Sequence, residues 1–255
     1  MKILLTVSYI GTNYCGYQLQ GEKPTVALML NKAARSLFGF DCRITGCSRT
    51  DSGVHATGYR ATLESASEND KITVPVDKIP LAMNTVLPSD IAVTDAALVS
   101  DSFHPRYSVL RKSYVYKIHA SRVRDPFLHK RAMELGREID ATSLEVMRKA
   151  ASHFVGKHDF SAFMASGSQI EDATRTVFES YVTANGDIIE FHVCADGFLY
   201  NMVRIMAGTL LDVSRGRIRA EDIPDIIASG DRQRAGYTAP PEGLYLERVF
   251  YESDR

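Results

Sequence analysis

The residues best equipped for chemistry lie in one short stretch, Gly46-Cys47-Ser48-Arg49-Thr50-Asp51-Ser52-Gly53-Val54-His55-Ala56-Thr57-Gly58. It combines glycines and hydroxyl side chains with one carboxylate (Asp51), one guanidinium (Arg49) and one imidazole (His55). That mixture is too polar and too glycine-rich for a core strand or a helix interior. A carboxylate in such company can serve as a nucleophile or as a proton acceptor. Asp51-Ser52-Gly53 invites an Asx-type turn, in which the carboxylate bonds backbone two residues on and the glycine takes a positive φ. Strand-like runs flank the stretch at 41–45 and 59–63. The expectation is a carboxylate-bearing loop between two strands, with Arg49 and His55 close enough in sequence to lie beside Asp51. Taken alone, Asp-x-Gly also fits an ordinary hairpin turn.

The elements that position this loop must come from a chain of 255 residues, enough for one large or two modest domains. Hydrophobic residues at 45% and charged residues at 24% are ordinary for a globular protein. No apolar run approaches the roughly 20 residues a membrane span needs. Residues 1–9 read as a first β-strand, not as a signal peptide. Cys15, Cys42, Cys47 and Cys194 are scattered without a C-x-x-C pair. They suggest neither a zinc site nor a disulfide framework, and fit a reducing cytoplasm. The net charge of −1 does not mark a nucleic-acid binder. Yet between His104 and Arg131 lie Arg106, Arg111, Lys112, Lys117, Arg122, Arg124, Lys130 and Arg131 against the single acid Asp125. Such a run can line a phosphate-binding surface or form a solvated strand face.

Periodicity supplies the frame. Strands are expected at 2–9, 91–99, 113–118, 175–182, 188–195 and 247–251, the fourth and fifth joined by the Asn185-Gly186-Asp187 turn. Apolar positions at helical spacing mark helices at 25–39 (Thr25 as N-cap, Gly39 as C-cap), 76–87, 141–154, 198–213 and 220–229. The pattern predicts an α+β fold of two similar domains, each an antiparallel sheet with helices on one face, facing each other across an active-site cleft. Ser100-Asp101-Ser102 reads as the hinge, giving domains 1–101 and 102–255.

Two further positions invite chemistry. Arg204 interrupts an otherwise apolar helix that contains Met202, Val203, Ile205, Met206, Leu210 and Leu211. A buried guanidinium is costly unless paired, and Asp51 would be a natural partner, kept ionised by the contact; an Arg reaching solvent at the helix edge is the simpler alternative. Tyr114 and Tyr116 share one strand face, where a ring can stack on an extruded base or pack in the core. The Gly/Tyr/amide-rich loop 10–21 likewise suits either base contacts or packing.

These motifs together resemble the TruA family of tRNA pseudouridine synthases nearly end to end. Arg49-Thr50-Asp51-Ser52-Gly53-Val54-His55-Ala56 is similar to that family's signature. Tyr9, Gly11, Tyr14, Gly16, Gln18 and Gln20 match its N-terminal pattern, and Phe103-His104-Pro105-Arg106-Tyr107-Ser108 its Phe-His-x-Arg-Phe-Ser. Lys112-Ser113-Tyr114-Val115-Tyr116, His158–Phe163, Arg175-Thr176-Val177, the 198–208 helix and Glu242-Gly243-Leu244-Tyr245-Leu246 match further segments. The resemblance implies that Asp51 is the catalytic carboxylate, Tyr114 the ring stacking on the target uracil and Arg204 the basic partner of Asp51. It also implies that Leu244 is an apolar wall of the pocket, and that Arg49 and Arg106 hold the RNA and the flipped nucleotide. Ser48, Pro105, Tyr107 and Lys112-Ser113 depart from the usual residues, which bears on fine RNA contacts.

The reaction so implied is isomerisation of uridine to pseudouridine in the tRNA anticodon stem-loop, at positions 38 to 40, by a homodimer without cofactor or metal. A carboxylate beside the base has two routes, addition to C6 or assistance of glycosidic cleavage at C1′ with loss of the C2′ proton. A non-catalytic RNA-binding or chaperone protein on the same scaffold is the second expectation. A carboxylate-dependent nucleosidase would need a second acid, and the motif offers none.

Overall fold

The computed structural model describes residues 1–167 and 170–252; residues 168–169 and 253–255 lie outside the described residues. In chain order the first elements are β1 (Lys2–Tyr9), α1 (Val26–Phe38), β2 (Cys42–Gly46), β3 (His55–Ser65), α2 (Ile79–Asn84) and β4 (Ile91–Val99). They are followed by β5 (Arg111–His119), β6 (Met133–Glu134), α3 (Ala141–Ser152), β7 (Gly156–Asp159), β8 (Thr174–Asn185), β9 (Ile188–Ala195), α4 (Met202–Val213), α5 (Ile223–Ser229) and β10 (Leu244–Phe250). Strands and helices are mixed in an α+β fold, and two parallel pairs, β3 with β10 and β5 with β6, depart from the purely antiparallel sheets expected. Among the described residues no helix is long and apolar enough to cross a membrane.

The chain forms two compact units, Met1–Leu110 with the described residues from Tyr245 onward, and Arg111–Leu244. The hinge expected at Ser100-Asp101-Ser102 would divide the chain at 101/102 and leave the last strand in the C-terminal half. In the structure that strand joins the first unit because β10 runs parallel to β3, with Tyr245 opposite His55 and Leu246 opposite Ala56. Such a pairing links residues far apart in sequence, and no local pattern announces it.

In the first unit β1 lies between β3 and β4, antiparallel to both. The other edge of β3 takes β10 near its start and β2 along its second half, from Gly46↔Ala61 to Cys42↔Ser65. Ile3, Leu5 and Val7 alternate along β1 onto one face and lie fully out of water, with Leu4 of the other face also buried. The α1 helix begins where the Thr25 hydroxyl accepts the Leu28 N–H at 3.3 Å and ends at Gly39, whose φ of 80° is left-handed. Both caps match the sequence reading, and the Thr25 cap is worth about 1 kcal/mol. The expected helix at 76–87 is shorter, a 3₁₀ turn (Val76–Lys78) leading into α2.

In the second unit the order is β5-β9-β8-β7, all antiparallel, with the short β6 parallel to β5 at Ile118↔Met133. The 185–187 turn joins β8 and β9 as expected. α4 has every residue buried except Arg204, which accounts for its nearly unbroken apolar sequence. It starts at Met202, later than the 198 read from periodicity, because Asn201 takes φ 60° and breaks the helical path.

Candidate active site

The Asp51 loop joins β2 to β3 and is held chiefly by backbone. Cys47 N–H donates to Arg60 O at 2.9 Å, Tyr17 N–H to Thr50 O at 3.3 Å, and Gly53 N–H to Tyr14 O at 3.3 Å. Gly53 has the expected positive φ of 80°, and Val54 N–H closes the turn on Asp51 O at 3.2 Å. The side chains add to this. Ser52 Oγ donates to Tyr14 O at 3.1 Å, and the Tyr9 and Thr50 hydroxyls meet at 2.9 Å. Beneath lies a stack of Tyr17 on Tyr59, ring centroids 4.2 Å apart, and burial raises both phenols' pKa. The Tyr59 hydroxyl donates to Ser48 O at 2.5 Å. Packing at Gly11 is so close that a Cβ there would sit 1.9 Å from Val54 O. The N-terminal tyrosines Tyr9, Tyr14 and Tyr17 are thus buried props of this loop. The loop presents Asp51 half-buried and Arg49 exposed.

His55 is not a loop residue. It opens β3, is fully buried and stacks on Tyr245 at 4.6 Å. Its Nδ1 accepts the Gly11 N–H at 2.9 Å, so that nitrogen carries no proton. An imidazole fixed in this way is a strut between the N-terminal segment and β3.

In the second unit, β5 carries Tyr114 and Tyr116. Tyr116 is fully buried and donates to Pro240 O at 2.7 Å, a core role, and burial lifts its phenol pKa well above the ordinary value. Tyr114 is 7% exposed and meets the edge of Phe198 at 4.9 Å, with ring planes 79° apart. Arg204 is half-buried; its Nε donates to Ala239 O at 2.8 Å and its Nη1 to Asn201 Oδ1 at 2.7 Å. The guanidinium is therefore oriented by two acceptors within its own unit, and it is not a rotating cation at a helix edge. The segment bearing Ala239 is itself clamped to α4. Gly236 N–H donates to Thr209 Oγ1 at 2.9 Å, Ala239 N–H to Arg204 O at 3.0 Å, and a Cβ on Gly208 would fall 1.8 Å from Tyr237 O. That clamp leads through Pro240 to Leu244, which is 7% exposed at the end of the second unit.

The remaining expected residue, Arg106, is exposed in the first unit, its guanidinium 5.9 Å from the centroid of the exposed Tyr107 ring. Asn201 and Phe198, the supports of Arg204 and Tyr114, were not singled out from the sequence. The available signal for Asn201 was an amide just before a buried helix, because Asn tolerates the left-handed region better than most residues. Among the described residues, no group of three or more His, Cys, Asp or Glu side chains is placed to hold a metal ion.

Residues 150–252 match a family model described as tRNA pseudouridine synthase. The chain is 45% identical over 250 residues to the tRNA pseudouridine synthase A of Caldicellulosiruptor saccharolyticus, covering 98% of this chain and 99% of that protein. The Thermoanaerobacter pseudethanolicus protein of the same name is 44% identical with the same coverage. The one from Ruminiclostridium cellulolyticum is 42% identical over 251 residues, again covering 98% of this chain and 99% of that protein. The chain belongs to the tRNA pseudouridine synthase A (TruA) family, whose members are tRNA-uridine isomerases.

Proposed function

We propose that this protein isomerises uridine to pseudouridine in tRNA at positions 38, 39 or 40 of the anticodon stem-loop, working as a homodimer in the cytoplasm. Asp51 is the catalytic carboxylate and Tyr114 stacks on the uracil. Arg204 is the basic partner of Asp51, Leu244 is an apolar wall, and Arg49 and Arg106 hold the RNA. In the reaction the C1′–N1 bond breaks, the uracil turns and C1′–C5 forms; N1 gains a proton and the C5 hydrogen leaves to solvent. The observation that carries this reading is family likeness over 98% of the chain, joined to a carboxylate set half-buried in a backbone-locked loop. A locked loop suits catalysis, since displacing a reacting group by about 1 Å can cost 10²-fold in rate.

The test is tritium release from [5-³H]uridine-labelled unmodified tRNA. Wild type is expected to release tritium; Asp51→Ala and Asp51→Asn should lose at least about 10²–10⁴-fold while melting like wild type. Binding of tRNA without release by wild type would favour the non-catalytic RNA-binding reading.

A further inference from the structure

The turn at residues 10–14 follows β1 in the first unit and makes two sets of contacts. It is closed by Tyr14 N–H donating to Gly11 O at 3.0 Å. One set goes to the four residues that follow Asp51. Ser52 Oγ donates to Tyr14 O at 3.1 Å, and Gly53 N–H donates to the same oxygen at 3.3 Å. Val54 O lies 1.9 Å from where a Cβ on Gly11 would stand, and His55 Nδ1 accepts the Gly11 N–H at 2.9 Å. A shift of this turn therefore moves the segment that carries Asp51.

The other set goes to a single residue, Asp90. It directly precedes β4, where Ile91 opposes Tyr9 of β1. Each of its three oxygens holds a different residue of the turn. The main-chain O accepts the Ile10 N–H at 2.9 Å, Oδ1 accepts the Tyr14 hydroxyl at 2.5 Å, and Oδ2 accepts from Asn13 Nδ2 at 3.1 Å. Burial and the Asp90 carboxylate raise the pKa of the Tyr14 phenol, so the hydroxyl keeps its proton and donates. A hydroxyl-to-carboxylate bond is among the stronger kinds, and a ring has few rotamers. Anchoring the phenol oxygen therefore restrains the main chain that bears the ring. A plain apolar ring could fill the same buried space. What the hydroxyl and Asp90 add is a fixed place for Tyr14 O, the acceptor on which Ser52 and Gly53 rest.

We propose that Asp90 is a positioning residue for the reaction: through Tyr14 it fixes the acceptor that carries Ser52 and Gly53, and so sets where the Asp51 carboxylate stands. The proposal rests on the reading of Asp51 as the catalytic carboxylate and adds to it a second acid, from the start of β4, that acts only through the turn. Support of this kind matters to rate, since a reacting group displaced by about 1 Å can lose 10²-fold. The contact joins elements that are already folded and is not needed to bury the ring. Its loss should loosen the turn without unfolding the unit.

The experiment is single-turnover tritium release at saturating unmodified tRNA, with amide hydrogen exchange followed at Gly53 and Val54 in the same proteins. These are wild type, Tyr14→Phe, Asp90→Asn, Asp90→Ala and the double variant Tyr14→Phe/Asp90→Ala. Tyr14→Phe and Asp90→Ala should each release tritium about tenfold more slowly, with tRNA affinity unchanged. Asp90→Asn keeps a side-chain acceptor and should fall between wild type and Asp90→Ala. The double variant should be no slower than Asp90→Ala, because both changes act through one contact. Exchange at Gly53 should quicken in the slow variants while the β1 and β3 ladder keeps wild-type protection. Wild-type rates in Tyr14→Phe and Asp90→Ala, beside an inactive Asp51→Asn, would overturn the proposal. So would losses that multiply in the double variant, or losses that merely track the folded fraction. A wild-type rate in Asp51→Asn would instead reject the assignment of Asp51, and quickened exchange at Gly53 would then leave Asp90 as a brace of the turn alone.

Discussion

The Asp51 loop and the Arg204–Tyr114 region hold their candidate groups by different means. In the first, main chain packs on main chain. Gly11 touches Val54 O, Gly53 turns with positive φ, and Tyr14 and Tyr17 exchange backbone hydrogen bonds with residues 50 and 53. In the second, the candidate side chains themselves make the holding contacts, to a side-chain amide, a main-chain carbonyl and a ring. Asn201 and Ala239 O orient the guanidinium, and Phe198 meets the tyrosine ring edge-on. Backbone contact leaves no room for error, because a glycine that loses its place has no rotamer to give. Side-chain contact is graded, since a truncated partner leaves a gap that neighbours partly fill.

Substitutions at three positions sharpen this contrast. The largest effect is expected for Gly11→Ala, whose Cβ would collide with Val54 O at 1.9 Å. It should cost at least about 2 kcal/mol by urea unfolding and more than about 10²-fold in tritium release, because the loop bearing Asp51 must move. Near-normal release would mean that the loop is less rigid than its backbone bonds imply.

An intermediate effect is expected at Asn201. Asn201→Gly retains the left-handed backbone and removes only the Oδ1 acceptor, so the rate should fall about tenfold with little change in melting. Asn201→Ala should show the same loss of rate and also lose about 1–2 kcal/mol of stability, from forcing alanine to φ 60°. Full activity in Asn201→Gly would remove Asn201 as a positioning residue, whatever the alanine variant did.

The smallest effect on rate is expected at His119, on the same strand as Tyr114 but at its end. Burial opposes protonation of this ring, but hydrogen bonds to Glu134 and Asp187 outweigh it, so its pKa is raised in the folded state. A raised folded pKa means stability present in full below the unfolded value of about 6.5 and lost as pH rises through the folded value. Melting temperature should therefore fall as pH climbs above about 6.5, and His119→Gln should flatten that fall while leaving the rate at saturating tRNA near wild type. An identical pH dependence in the variant would assign it to other groups.

The contrast also explains what was legible beforehand. Glycine positions and an Asp-x-Gly turn are written in residue identity, so the Asp51 loop, its flanking strands and the positive φ at Gly53 were readable in order. Even there, His55 was misplaced: its imidazole is a buried strut inside β3, because burial depends on what Tyr245 and Gly11 bring to it. The supports of Arg204 were not readable, since Asn201 and Ala239 carry no mark of their task until a helix and a loop meet.

Local alternation, capping residues and turn residues determined the strands, α1 with both of its caps, the β8–β9 hairpin and the α+β class, because each of these depends on neighbours in sequence. The motifs carried the family. Tertiary structure alone decided that β10 returns to the first unit, that Arg204 is held by two acceptors and that the basic run divides between a strand face and a projecting loop. Those outcomes depend on contacts between residues distant along the chain, whose free energy comes from burial and hydrogen bonding that local composition does not encode.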